Sequence, residues 1–219
     1  MGREVDLLRS YPRTKRNIEE RIKTKSEKSR EIARKFGEEF FDGDREHGYG
    51  GFAYNPKFWT GVVSDLIDEY HLNNQSSVLD VGCAKGFLLH DLKIALPGIK
   101  VKGIDVSDYA IMNSIDTVKT DLLVASADNL PFADNSFDLV LSINTIHNLD
   151  RSNCSDALKE INRVTKRYSF ITVDAYRNEE ERIRMEAWNL TAKTMMSCKE
   201  WISFFKEVKY TGDYYWFIP

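Results

Sequence analysis

The sequence predicts an α/β chain: a seven-stranded, mostly parallel sheet with helices on both faces, a C-terminal antiparallel hairpin, and a helical extension before the sheet. Two observations carry this. From Ser77 onward, short apolar runs alternate with longer amphipathic stretches, and parallel strands need such crossover helices to return to the same edge. Before Ser77 the alternation is absent and residues 13–46 are densely charged. The chain has 219 residues, 42% hydrophobic and 30% charged, so its apolar content is enough for a folded core and excludes wholesale disorder. The expected division is a helical extension with an aromatic lid or connector over 1–74 and the sheet unit over 75–219.

The elements follow in order. In the extension, Ile18, Ile22, Ile32, Phe36 and Phe40 recur at spacings near four or its multiples, which puts them on one side of a helix. Glycines and Pro56 interrupt residues 46–59 before Trp59 to Tyr70 resumes a helix. Apolar runs place strands at 77–82, 101–105, 122–126, 137–143 and 169–174, with helices at 86–96, 108–116, 153–165 and 178–194 between and after them. Leu158, Ile161 and Val164 give the helix at 153–165 its buried stripe. Ser197 and Glu200, three apart, suit a capping box for a short helix through Phe205. Residues 208–210 and 214–218 flank Thr211-Gly212-Asp213, the turn of the expected hairpin.

Several classes are excluded. No apolar run reaches the ~18 residues of a membrane-spanning helix, and the opening MGREVDLLRS lacks a signal-peptide core; a cytoplasmic protein is expected. Cys83, Cys154 and Cys198 are odd in number and too far apart for a CxxC pair, so neither a disulfide framework nor a structural metal is expected. The net charge of −3 gives no overall attraction to nucleic acid or anionic lipid. Locally, residues 13–35 hold ten Lys or Arg against four Glu, a solvated helical face or a patch that attracts anions.

The strongest chemical signal is VLDVGCAKGFLL, residues 78–89. A strand runs into Gly82 and Gly86 and a helix starts directly after, so backbone N–H groups and the positive end of the helix dipole face the gap. The dinucleotide fingerprint GxGxxG fails here at two of its three glycines. Asp80 precedes the first glycine, where it can accept from an ammonium, and Asp105 ends the next strand, where a carboxylate can accept both hydroxyls of a ribose. The set Asp80, Gly82, Gly86 and Asp105, together with VASADNLPFADNSFDLVLSINTIHNL at 124–149, resembles the class I S-adenosylmethionine-dependent methyltransferases. The resemblance covers roughly residues 75–175.

That resemblance implies a Rossmann-like methyltransferase fold, S-adenosylmethionine as cofactor and S-adenosylhomocysteine as product. It implies a cofactor site at Asp80, Gly82, Cys83, Ala84, Gly86, Asp105, Val106, Ser126, Ala127 and Asn144. Ala84 stands where the family has Gly, and Ser126 where many relatives have Asp. In the loop after the strand at 137–143, His147 is the candidate general base, with packing against the next helix as the alternative. Tyr49, Tyr54, Asn148, Tyr176 and Arg177 are candidates for contacting the acceptor. Arg177 can equally form a surface ion pair, and the tyrosines an aromatic connector. The loop at 143–146 lacks the Asn-Pro-Pro-aromatic signature of base methylation and the paired glutamates that grip a guanidinium. The expected function is methyl transfer to a small molecule, oxygen ahead of nitrogen or carbon, the acceptor being a sugar, sugar nucleotide or small acid. Methylation of a structured RNA and a non-catalytic docking role are the alternatives; a monomer or homodimer is expected.

Overall fold

The computed structural model describes residues 2–12, 26–48 and 53–218. In chain order the elements are α1 (Glu27–Ala33), α2 (Glu38–Phe41), α3 (Pro56–Tyr70), β1 (Ser77–Val81), α4 (Phe87–Ala95), β2 (Lys100–Asp105), α5 (Asp108–Met112), β3 (Leu122–Val124), β4 (Phe137–Ile143), α6 (Arg151–Val164), β5 (Thr165–Tyr176), α7 (Glu179–Trp188), β6 (Met196–Ser197), α8 (Cys198–Glu207) and β7 (Asp213–Phe217). Short 3-10 turns span Lys119–Asp121 and Ile146–Asn148. The strands form one seven-stranded sheet in the order β3-β2-β1-β4-β5-β6, with β7 also pairing with β5. Reversal of strand order between β1 and β4 opens a crevice at their C-terminal ends, where ligands bind in open α/β sheets.

Successive strand residues point to opposite faces, and two core clusters divide accordingly. Leu79, Val81, Val140, Ile171 and Val173 pack with α6 and α8 through Leu158, Ile161, Val164, Trp201 and Phe205. Val78, Leu139, Leu141 and Phe170 pack with α3 and α4 through Val62, Leu66, Leu88, Leu89 and Leu92. Leu7 joins the second cluster, and Val5 N–H donates to Tyr214 O at 3.0 Å, so the first residues of the chain run alongside β7.

The expected antiparallel hairpin does not form. β7 pairs with β5 in parallel, Phe170 opposite Asp213 through Asp174 opposite Phe217, and α8 supplies the crossover that such pairing requires. Residues 208–210 are not a strand: Val208 caps α8, and Tyr210 is buried with its hydroxyl between Ser169 Oγ and Asp213 O. In the extension, the single amphipathic helix is broken. Phe36 adopts φ +49°, Gly37 caps α2, and the buried apolar side chains of α1 and α2 are Ala33, Phe40 and Phe41; Ile18 and Ile22 lie outside the described residues. The helix expected through residue 194 stops at Trp188, because Asn189 turns its carbonyl Oδ1 onto Ala192 N–H and its amide onto Asp174. The expected capping box forms: Ser197 and Glu200 satisfy each other's backbone N–H. Among the described residues, no helix is long and apolar enough to cross a membrane.

Candidate active site

The turn after β1 is built around two carboxylates. Gly82 adopts φ +90°, and a Cβ there would fall 2.0 Å from Thr145 Oγ1, so only glycine fits. Gly82 and Cys83 N–H both donate to Ile104 O, which ties the turn to β2. Ala84 N–H donates to Asp105 Oδ2 at 2.8 Å, and Ser107 N–H to Asp105 Oδ1 at 2.9 Å. Burial pushes the Asp105 carboxyl above its usual range, against those N–H groups, which pull it down. Asp80 is buried nearby at the end of β1 and accepts no hydrogen bond among the described residues. Burial, reinforced by the charge of Asp105, pushes it up to about 7. An unpartnered buried carboxylate is costly unless a cation arrives.

These groups line a cavity of about 1750 Å³, well beyond the ~300–1,000 Å³ typical of a single small-ligand site. Cys83, Ala84, Val106, Ser126, Ala127 and Asn144 also line it. Val106 is 59% exposed, an apolar face open to a flat ring. Asn144, at φ +54°, accepts from Thr172 Oγ1 at 2.9 Å, so its carbonyl is already engaged. Gly86 does not line the cavity; it starts α4 at φ +78° and lies close to Val118. The Cys83 thiol is buried and pushed well up by burial, leaving its backbone to shape the turn.

His147 lines the cavity but is not poised as a general base. Its Nδ1 accepts the Asp174 N–H at 3.2 Å, and Nε2 lies 3.5 Å from Asp174 Oδ2. Burial lowers its pKa, against the pull of Asp174, so the ring is neutral with its proton on Nε2 and no free lone pair. Its carbonyl accepts the N–H groups of Lys193 and Thr194, which hangs the loop at 189–194 on the post-β4 turn.

The acceptor candidates divide. Asn148 and Arg177 line the cavity, although Arg177 faces Glu181 at 3.5 Å. Tyr54 does not line it: its hydroxyl donates to Asp91 Oδ1 at 2.6 Å and its ring stands edge-on to His90 over α4. Tyr176 does not line it either, and the Glu200 carboxylate on α8 is among the charges that act on its hydroxyl. Tyr49 lies outside the described residues.

Sequence reasoning named no site residue in the segment at 34–46, yet Lys35, Phe36, Phe40, Phe41 and Arg45 line the cavity. Lys85 Nζ donates to Asp42 at 2.6 and 2.8 Å, Tyr109 hydroxyl to the same carboxylate at 2.7 Å, and Ser107 Oγ to Phe36 O. Ala84, with φ +48°, packs against this aromatic cluster. The signal available in the sequence was Lys85 itself, a charge inside the glycine turn.

Residues 79–173 match the methyltransferase domain family. Over 108 residues the chain is 35% identical to the mitochondrial arginine-hydroxylase NDUFAF5 of Rattus norvegicus, covering 48% of this chain and 28% of that protein. Over 148 residues it is 30% identical to the tRNA (carboxymethyluridine(34)-5-O)-methyltransferase of Arabidopsis thaliana, covering 66% of this chain and 34% of that one. The chain thus spans about a third or less of these relatives' length. Among solved structures, a putative methyltransferase from Haloferax volcanii, in complex with the Trm112 methyltransferase activator, superposes with TM-score 0.52 at 25% identity over 68% of this chain and 72% of that one. The carboxylates at the ends of β1 and β2, the glycine turn between them and the match over 79–173 support a class I methyltransferase domain with S-adenosylmethionine as its cofactor.

Proposed function

We propose that this domain transfers the methyl group of S-adenosylmethionine to an oxygen of a small-molecule acceptor. The observation that carries the reading is Asp80, a buried carboxylate with no hydrogen-bond donor among the described residues, at the rim of a glycine turn that a Cβ would fill. Its match is the ammonium of the cofactor's methionine portion. Asp105 faces the ribose hydroxyls, and Val106, Ser126 and Ala127 the adenine. When bound, the cofactor supplies a methyl group on a positively charged sulfur. The chain's own part is to orient it, to cover it with Phe36, Phe40 and Phe41, and to exclude water from the acceptor. The remaining cavity wall, with Asn148, Arg177, Thr191 and Lys193, is available to an acceptor. Oxygen transfer is supported by the name of the Arabidopsis relative. That name also favours a second reading, methylation of a structured RNA, which would show affinity falling steeply with salt.

Calorimetric titration with S-adenosylmethionine and S-adenosylhomocysteine, beside NAD, tests the proposal. Both sulfur ligands are expected to bind and NAD not to. Asp105→Ala is expected to weaken binding by about 1.5–3 kcal/mol per hydrogen bond lost to the charged group. Binding of NAD alone, or unchanged affinity in Asp105→Ala, would overturn the assignment.

A further inference from the structure

We infer that the acceptor atom is a carboxylate oxygen and the product a methyl ester, an inference that rests on the methyl-transfer reading above. An alcohol or a protonated amine must lose a proton as it attacks, and a positioned base near its working pH is what removes it. The imidazole in this cavity is unsuited to that task, with the Nδ1 lone pair accepting the Asp174 N–H and the ring proton left on Nε2, 3.5 Å from the Asp174 carboxylate. Among the described residues, the carboxylates that line the cavity beyond the cofactor cradle each accept a hydrogen bond already, which lowers their basicity. Asp6 accepts from the Tyr215 hydroxyl and Leu8 N–H, Glu46 from Ser29 Oγ, Asp174 from Asn189, and Glu181 from the Arg177 N–H. Asp80 is committed to the cofactor ammonium. A carboxylate acceptor needs none of them, since it arrives already deprotonated.

Two further observations agree. Lys35, Arg45 and Lys193, all exposed, line the cavity with no side-chain partner among the described residues, so an incoming anion meets basic side chains that are free to turn to it. The aromatic walls, Phe36, Phe40, Phe41, Trp59 and Trp188, lower the local dielectric. Attraction between an anionic nucleophile and a cationic donor grows as the dielectric falls. The step balances without a proton: an acceptor carboxylate oxygen forms a bond to the methyl carbon, the carbon–sulfur bond breaks, and its electron pair stays on sulfur, leaving a neutral thioether and a neutral ester.

The test uses the whole chain with methyl-labelled S-adenosylmethionine and a small-molecule extract of the source cells, followed by mild alkali. Transferred label released as volatile methanol is the expected result, because esters hydrolyse where ethers and N-methyl groups do not. Alkali-stable label, or no transfer by protein that binds the cofactor, overturns the inference; failure to bind the cofactor at all instead removes the underlying reading. A binding measurement independent of turnover accompanies it. Protein saturated with S-adenosylhomocysteine is titrated with succinate and benzoate and with their amides. The acids are expected to bind about tenfold or more tighter, and equal affinity for the amides would overturn the inference.

Discussion

Asp80 sets how proton and cofactor compete for one site. Burial and the neighbouring Asp105 charge raise its pKa to about 7 in the ligand-free fold, against ~3.9 for an exposed Asp. With the folded value above the unfolded one, the ligand-free fold loses stability as pH rises from the unfolded value through about 7, and the penalty is complete above it. A cation at Asp80 removes that penalty. The rise in melting temperature produced by S-adenosylmethionine is therefore expected to grow between pH 5.5 and 8, and at the acid end binding should release close to one proton per site, read by calorimetry in buffers of different ionisation enthalpy. A pH-independent shift with no proton release would show that Asp80 does not meet the ammonium. Asp80, Gly82 and Asp105 were legible in the sequence because a strand end, a turn and a strand end fix their positions locally. Tyr54 was not, since its direction is chosen by Asp91, a partner 37 residues away.

The same contrast holds between elements. Strands at 77–81, 100–105 and 137–143 emerge close to expectation because buried parallel strands are continuous apolar runs. The final strand was misassigned to a hairpin because Thr211-Gly212-Asp213 has turn chemistry, whereas its partner is chosen by packing. Tyr210 fills the core under β5, and α8 carries the chain back across the sheet to lie parallel to β5. Gly212 separates the two arrangements. In a free hairpin turn an alanine is tolerated, but here its Cβ would lie 2.0 Å from Ser169 Oγ, 2.3 Å from the Tyr210 hydroxyl and 2.6 Å from Ser169 O. A backbone oxygen cannot rotate away, so Gly212→Ala is expected to destabilise the protein by about 1–3 kcal/mol. At roughly 2–4 °C per kcal/mol for a chain of this size, thermal melting resolves the loss. An unchanged midpoint would return β7 to the hairpin.

At the scale of the molecule, stability is unevenly spread. The sheet is held by two extended apolar clusters, while the segment at 26–48 rests on a separate cluster of Ala33, Phe40, Phe41, Ala110 and Leu190 and on the Asp42 latch. Burial alone would raise the Asp42 carboxyl, but hydrogen bonds from Lys85 and Tyr109 outweigh it and hold the group below its usual value. The folded value being the lower one, the latch contributes fully above the unfolded pKa and is lost only as pH falls through the folded value, so it is closed at neutral pH. A small cluster and one partly exposed ion pair cost far less to open than the sheet does, and such units open independently of the core. Hydrogen exchange at neutral pH should therefore find the amides of α1 and α2 exchanging well before those of β1, β4 and β5. Asp42→Asn should speed the first group by a few-fold, consistent with ~1 kcal/mol for a partly exposed pair, and leave the second unchanged. Because Lys85 and Ala84 sit in the glycine turn itself, saturating S-adenosylmethionine should slow exchange in α1 and α2 of both proteins. Amides of α1 and α2 that exchange only together with the central strands would mean that the segment is a fixed part of the core, and that the cofactor must enter by another route.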